Sequence, residues 1–236
     1  MRVIFGMLNP ILRSAMLFIP NGTFRHFDWK IEFYIIKMLV NNKGRTNNKC
    51  IALDVACGDG DRTSIFSVLI KEIVGIDIDL TRLRKAKAKG ISVIQGDARR
   101  IPFRDDVFHL VLSFHFIEHV RLLDAVASIN EMYRVLRKKG WLLLVTPNRK
   151  RLSSIINLIG NFLYKRGRRL YLLNPDHVHE YDIKEFLTLI KRSNFRRTST
   201  WIIPMGFIKL PREIALIRVP NILSEYCNQI LVLARK

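Results

Sequence analysis

From residue 50 to 146 short apolar runs alternate with helical patterns, and this alternation limits the possible folds more than any other feature of the chain. CIALDV (50–55), IVGID (73–77), ISVIQ (91–95), VFHLVLSF (107–114) and WLLLVTP (141–147) read as buried strands. Helices are expected through IFSVLIKE, over LTRLRKAKAKG (80–90) and over VRLLDAVASINEMYRVLRKKG (120–140), the last two closing at Gly90 and Gly140. Strands of this kind, each followed by a helix, make parallel β-α-β units whose sheet is covered on both faces. YDIKEFLTLIKRSNF (181–195) adds an amphipathic helix, and TSTWIIP and QILVLARK are expected to close the sheet as a late pair. The expected fold is therefore α/β, a doubly wound and mostly parallel sheet with helices on both faces.

Two regions stand outside the alternation. Residues 1–49 read as a helical N-terminal extension or lid, with helical spacing in FDWKIEFYIIKMLV and Asp28 as a candidate N-cap. Residues 50–236 form the main domain and include a basic insertion at about 148–180. Between Glu131 and Asp176 there is no Asp or Glu, against 11 Lys and Arg, a block of the kind that serves as an interaction face. In the insertion Leu152, Ile155, Ile156, Ile159, Phe162 and Leu163 share one helical face. Such a helix suits a lid packed on the sheet, a cover over a hydrophobic acceptor, or a bilayer surface.

The chain carries 40 Lys and Arg against 20 Asp and Glu. This excess favours anionic partners, an acidic membrane surface or RNA, although a generally basic surface would look the same. The first twenty residues are apolar, but Asn9, Pro10 and Arg13 interrupt them well short of the roughly 18 residues a membrane span needs. Cys50, Cys57 and Cys227 include no C-x-x-C pair, so a disulfide framework or zinc ribbon is not expected. The expected location is cytoplasmic, with a peripheral membrane association left open.

In a doubly wound sheet the ligand sits beyond the carboxyl ends of the strands, where strand order reverses. LDVACGDGD (53–61) is the loop at that place. A phosphate-binding G-x-x-x-x-G-K-[ST] is absent, and the dinucleotide pattern fails because Ala56, Gly58 and Gly60 are spaced two apart and Thr63 replaces the last glycine. Asp59 and Asp61 would also repel a pyrophosphate. S-adenosylmethionine carries no phosphate and two positive centres, so an acidic loop suits it. Asp77, at the end of the second strand, is placed to accept both ribose hydroxyl hydrogens. Gln95-Gly96-Asp97-Ala98 ends the third strand, where the adenine would lie.

These residues resemble the class I S-adenosylmethionine-dependent methyltransferases, in particular the broad group that includes quinone-biosynthesis methyltransferases. LDVACGDGD is similar to the family's first motif and VGIDID to its second. QGDARRIPFRDDVFHLVLSFHFIEHV resembles the central stretch, and YRVLRKKGWLLLVTPNR and HVHEYDIKEFLTLIKRSNF the later elements. The resemblance covers about residues 50 to 195 and implies a seven-stranded sheet of order 3-2-1-4-5-7-6 with the seventh strand antiparallel. It implies that Asp54, Ala56, Cys57, Gly58 and Gly60 lie at the methionine end of the cofactor, Asp77 and Ile78 at the ribose, and Asp97 and Ala98 at the adenine. Ser113, Phe114 and His115 would lie beside it. Ala56 stands where glycine is commoner, and His109 stands where the family usually has Asp.

Other roles compete for several of these residues. Asp61 suits an N-cap for a helix from Arg62, Asp77 a strand-end turn, and Cys57 loop packing with no base to activate it. His115 and His119 follow the fourth strand, where the methyl acceptor belongs, and either is a candidate general base; His119 also suits capping or packing of the next helix. His177 and His179 are placed to reach the same pocket, but no third ligand has metal-site spacing, so no metal is expected. SFHF at the end of strand four lacks the Asn/Asp-Pro-Pro-aromatic stretch of amide and exocyclic amine methylation, and the chain has no Pro-Cys nucleophile for cytosine chemistry. The leading expectation is methyl transfer to a small-molecule or lipid-like acceptor. The alternatives are an RNA or protein methyltransferase docking through its basic surface, and a non-catalytic binding subunit.

Overall fold

The computed structural model describes residues 27–41, 50–151, 176–195, 197–203, 207–209, 214–216 and 229–236. Its strands are β1 (Ile51–Val55), β2 (Glu72–Asp77), β3 (Ser92–Gln95), β4 (Phe108–Phe114), β5 (Leu136–Pro147), β6 (Arg197–Ile203), β7 (Phe207–Lys209), β8 (Ile214–Leu216) and β9 (Gln229–Arg235). Among the described residues its helices are α1 (Phe27–Asn41), α2 (Asp61–Phe66), α3 (Leu80–Ala88), α4 (Leu122–Val135) and α5 (Ile183–Lys191), with a 3-10 turn over Ile117–His119. Seven strands form one sheet in the order β3-β2-β1-β4-β5-β9-β6, and β7 and β8 form a separate antiparallel pair that the sequence patterning did not suggest. The first five strands pair in parallel, while β9 runs antiparallel between β5 and β6. The expected order thus holds, with QILVLARK inserted between its two neighbours.

Alternation along the central strands sends side chains to two opposite layers. On one face Leu53, Val55, Val111, Leu142 and Val232 meet Ala125, Ile129 and Met132 of α4 and Phe186 and Ile190 of α5. On the other, Ala52, Leu110, Leu112, Leu143 and Leu231 meet Phe66 of α2 and Ile35 and Ile36 of α1. The described part of the N-terminal extension is therefore packed into the core of the main domain. Asp28 falls inside α1 rather than ahead of it.

Two helices stop earlier than their patterns suggest. α2 ends at Phe66, whose carbonyl accepts the amides of Leu69 and Ile70 in a closing turn. Glu72 must already be extended there to pair with Ile51. The helix expected over 120–140 ends at Val135, because Leu136 is extended and pairs with Phe108. The next pair is Leu110 with Trp141, so residues 137–140 form a bulge. Lys139 takes a positive φ of 63° in it, and a Cβ at Gly140 would stand 2.8 Å from the Arg137 carbonyl oxygen. At α5 Asp182 and Glu185 form a capping box, a motif that contributes about 1 kcal/mol.

Candidate active site

Strand order reverses between the parallel neighbours β1 and β4, and the site is built from the loops that follow them and their neighbours. Ala56, Gly58 and Gly60 all have positive φ, at 60°, 56° and 75°. A Cβ at Gly60 would stand 2.5 Å from Ile91 Cδ1 and 2.8 Å from Ala86 Cβ, so the missing side chain lets the loop pack on α3. Asp77 secures the same loop from β2. Its Oδ2 accepts the Gly58 amide at 2.8 Å and its Oδ1 the Asp79 amide at 2.9 Å. Asp79 in turn caps α3.

The loop acids differ from their sequence reading. Asp61 is the first residue of α2, behind Gly60 in the N-cap position, and makes no side-chain cap. It pairs with Lys89 at 2.5 Å, while Asp59 pairs with Lys85 at 3.3 Å. Both acids therefore fasten the loop to α3. The carboxylates of the adjoining cavity come from Asp77, Asp97, Asp124 and Asp176 instead.

That cavity has a volume of about 650 Å³. Of the residues singled out in the sequence, Ala56, Asp77, Ile78, Asp97, Ala98, His115 and His119 line it together. Asp54, Cys57, Gly58, Gly60, Ser113 and Phe114 do not line it; they lie behind or beside the wall. Asp54 is buried and accepts a hydrogen bond from Thr63 Oγ1 at 2.6 Å. Burial raises its pKa from 3.8 to about 7, opposed by the Thr63 hydrogen bond and the Arg62 charge and reinforced by Asp77. The Cys57 thiol packs where a Cβ on Gly75 would meet it at 2.6 Å. Burial pushes that thiol's pKa up, aided by the carboxylates of Asp54 and Asp77, which leaves it a packing group rather than a nucleophile. Phe114 packs on Phe66 with ring centroids 5.3 Å apart. Ser113 is buried, and among the described residues its hydroxyl has no hydrogen-bond partner.

Beyond the end of β3 Asp97 is held by Arg99, with contacts of 3.0 Å from Nε and 2.6 Å from Nη2. Arg99 also reaches Asp124 of α4 at 3.0 Å. The Arg99 hydrogen bonds hold the Asp97 carboxyl below its usual pKa. His109, in place of the family's Asp, accepts the Ile51 amide through Nδ1 at 3.2 Å, so it supplies a contact between β4 and β1.

Behind the opposite wall lies a carboxylate that the sequence did not single out. Glu118 is fully buried, with Oε1 3.2 Å from His115 Nδ1 and Oε2 accepting Thr146 Oγ1–H at 3.1 Å. Its carbonyl oxygen accepts the amides of Val178 and His179. The His-x-x-Glu spacing was visible in the sequence, but the partners at 146 and 178 were not. His119 Nδ1 stands 2.8 Å from the Asp176 carbonyl oxygen, and His177 Nδ1 stands 2.6 Å from Glu180. Glu118, His119 and His177 offer ligand atoms within 4.8 Å of one another, so the fold supplies the third group that sequence spacing did not. The protein's own groups contact both Glu118 oxygens and both Nδ1 atoms, which makes this cluster a hydrogen-bonded wall. His179 stands outside the cluster, 4.6 Å from Tyr181 between ring centroids. The amphipathic face at 152–163 lies outside the described residues.

Residues 53–144 match a family model described as methyltransferase domain. A "Probable S-adenosylmethionine-dependent methyltransferase" of Mycolicibacterium smegmatis is 27% identical over 161 residues, covering 66% of this chain and 57% of that protein. A demethylmenaquinone methyltransferase of Staphylococcus aureus is 34% identical over 97 residues, covering 38% of this chain and 39% of the relative. The chain spans about half the length of the curated relatives it matches. Among solved structures, a Thermotoga maritima protein described as an S-adenosylmethionine-dependent methyltransferase and possible histamine N-methyltransferase superposes with a TM-score of 0.59 at 15% identity, over 89% of this chain and 95% of that one. At that identity the likeness shows the fold. With the strand order and the glycine loop, these matches support a class I S-adenosylmethionine-dependent methyltransferase.

Proposed function

We propose that this protein binds S-adenosylmethionine in the cavity beyond β1 and β2 and transfers its methyl group to a small or lipid-like acceptor. The observation that carries this reading is the convergence of Asp77, Ile78, Asp97, Ala98 and His115 on one cavity at the point where strand order reverses. The residues fit the cofactor. Asp77 is largely buried yet lines the cavity, and each of its oxygens has a further lone-pair direction for a ribose hydroxyl. The cavity is lined by four carboxylates and three arginines, of which Arg99 is already paired with Asp97 and Asp124 and Arg82 with Asp79, and the chain has no P-loop motif, so the lining does not favour a phosphate ligand. When bound, the cofactor supplies an electrophilic methyl on a sulfonium. The protein's part is to align the acceptor with it and to exclude water.

The acceptor reading rests on size and on the rim. About 650 Å³ is the scale of a small-molecule site. Ile78 and Val178 line the cavity while remaining more than half exposed, so an apolar acceptor has surface to cover. The relative named for demethylmenaquinone supports an acceptor of quinone type. The test is to incubate the full chain with methyl-labelled S-adenosylmethionine and, separately, a lipid extract, total RNA and a protein fraction. Label in the organic phase of the lipid reaction is expected; label confined to RNA or protein would overturn the acceptor class.

A further inference from the structure

We propose that His115 is the general base of the reaction, that Glu118 is its positioning residue, and that the acceptor atom is therefore the oxygen of a hydroxyl group. This rests on the methyl-transfer reading above. His115 is the first residue beyond β4. Its amide donates to the Val145 carbonyl at 2.9 Å, and it takes a φ of 53°. A left-handed conformation is costly for a residue other than glycine and tends to survive where geometry is functional. Here it ends the strand with the imidazole on the cavity wall.

The imidazole is oriented. Glu118 Oε1 lies 3.2 Å from Nδ1, and the carboxylate is buried, braced by Thr146 at its second oxygen. An ionised carboxylate only accepts hydrogen bonds. With Glu118 ionised, Nδ1 carries the ring hydrogen and the Nε2 lone pair is left as the base. The buried carboxylate also stabilises the imidazolium formed when Nε2 takes a proton, as the carboxylate of a hydrolase triad does. Among the described residues His177 is paired in the same way with Glu180 but does not line the cavity, and no other lining group has a buried carboxylate behind it. Asp97 and Asp124 are tied to Arg99, and His119 faces a neutral carbonyl rather than a carboxylate.

An oriented base identifies the acceptor by what needs one. A neutral amine or a thiolate has a nucleophilic lone pair before any proton leaves. A hydroxyl attacking a methyl group would become an oxonium unless its proton departs, so it gains most from a base. As the acceptor oxygen gains the methyl, the O–C and Nε2–H bonds form. The O–H and S–C bonds break, the O–H pair stays on oxygen and the S–C pair returns to sulfur. The positive charge thus moves from sulfur to the His115–Glu118 pair, and no further reactant is needed.

The test compares methylation of 2-naphthol with that of 2-naphthalenethiol, which is ionised near neutral pH, by the full chain and by His115→Ala and Glu118→Gln. In His115→Ala the naphthol-to-thiol rate ratio is expected to fall by about a hundredfold or more and to recover in part with added imidazole. Glu118→Gln is expected to lower the ratio less. Nitrogen-15 spectra of the imidazoles, recorded without cofactor, are expected to show His115 as the Nδ1–H tautomer in the wild type and as a mixture in Glu118→Gln. An unchanged ratio, a wild type that does not methylate naphthol, or an Nε2–H tautomer would overturn the proposal. Calorimetry with S-adenosylhomocysteine separates the two possible failures. If the wild type does not bind it, the methyl-transfer reading itself falls; if it binds and the ratio is unchanged, only the base assignment falls.

Discussion

Asp77 accepts the Gly58 amide hydrogen at 2.8 Å, so the carboxylate proposed to bind the ribose also holds the glycine loop in position. Its other oxygen accepts the Asp79 amide, and one side chain therefore links β2, the β1 loop and the start of α3. Replacing Asp77 by Ala removes two charge-assisted bonds, each worth about 1.5–3 kcal/mol. The variant is expected to lose at least about tenfold in S-adenosylhomocysteine affinity and to melt at a lower temperature. Calorimetry and a melting curve check both, and an unchanged Kd would refute the ribose assignment.

Gly60 is irreplaceable for two reasons that act together. A Cβ there would enter the space of Ile91 and Ala86, and the φ of 75° disfavours any other residue. Gly60→Ala is expected to destabilise the chain by about 2 kcal/mol or more. Gly90, also at positive φ but with nothing within 4 Å of an added Cβ, provides the control. Gly90→Ala is expected to cost only about 1 kcal/mol. Equal losses in urea unfolding would contradict the packing account.

Asp54 gives stability a pH dependence of defined sign. Its pKa rises from 3.8 to about 7 on folding, so the folded chain holds the proton more tightly than the unfolded chain. Its contribution to stability is complete below pH 3.8 and is lost as pH rises towards 7. Asp54→Asn is expected to flatten the stability profile across that window relative to the wild type, measured by urea unfolding at several pH values. Parallel profiles would contradict the burial of this acid.

Arg62 joins α1 to α2 and β4. Its Nε lies 3.1 Å from the buried carboxylate of Glu32, and its guanidinium stacks over Trp29 and Phe114 at 5.2 and 5.1 Å from the ring centroids. Arg62→Ala leaves Glu32 in the core without this charge, a change that costs about 3 kcal/mol for a buried pair. The expected result is a lower melting temperature with faster proteolysis within 27–41. A change under about 0.5 kcal/mol would show that α1 is held by its apolar face alone.

Most of the sheet was legible because its strands are apolar runs that fill two layers, and period alone marks them. Leu136 was hidden because RKKG reads as the basic end of a helix, whereas the chain there is already paired with Phe108. The cavity was legible through the acids at successive strand ends, since Asp77 and Asp97 both line it. The loop acids misled because Lys85 and Lys89, which neutralise Asp59 and Asp61, lie 26 and 28 residues further on. Glu118 escaped notice because its function depends on burial and on Thr146, and neither is written in local spacing. Asp61 looked like a cap because its residue type suits one; the left-handed turn at Gly60 took that position instead.

The most direct test of the central claim is calorimetric titration of the full chain with S-adenosylmethionine, alongside Asp77→Ala under the same conditions. The account predicts saturable one-to-one binding by the wild type and markedly weaker binding by the variant. No binding heat from a folded wild-type chain, or equal affinity in the two proteins, would contradict it.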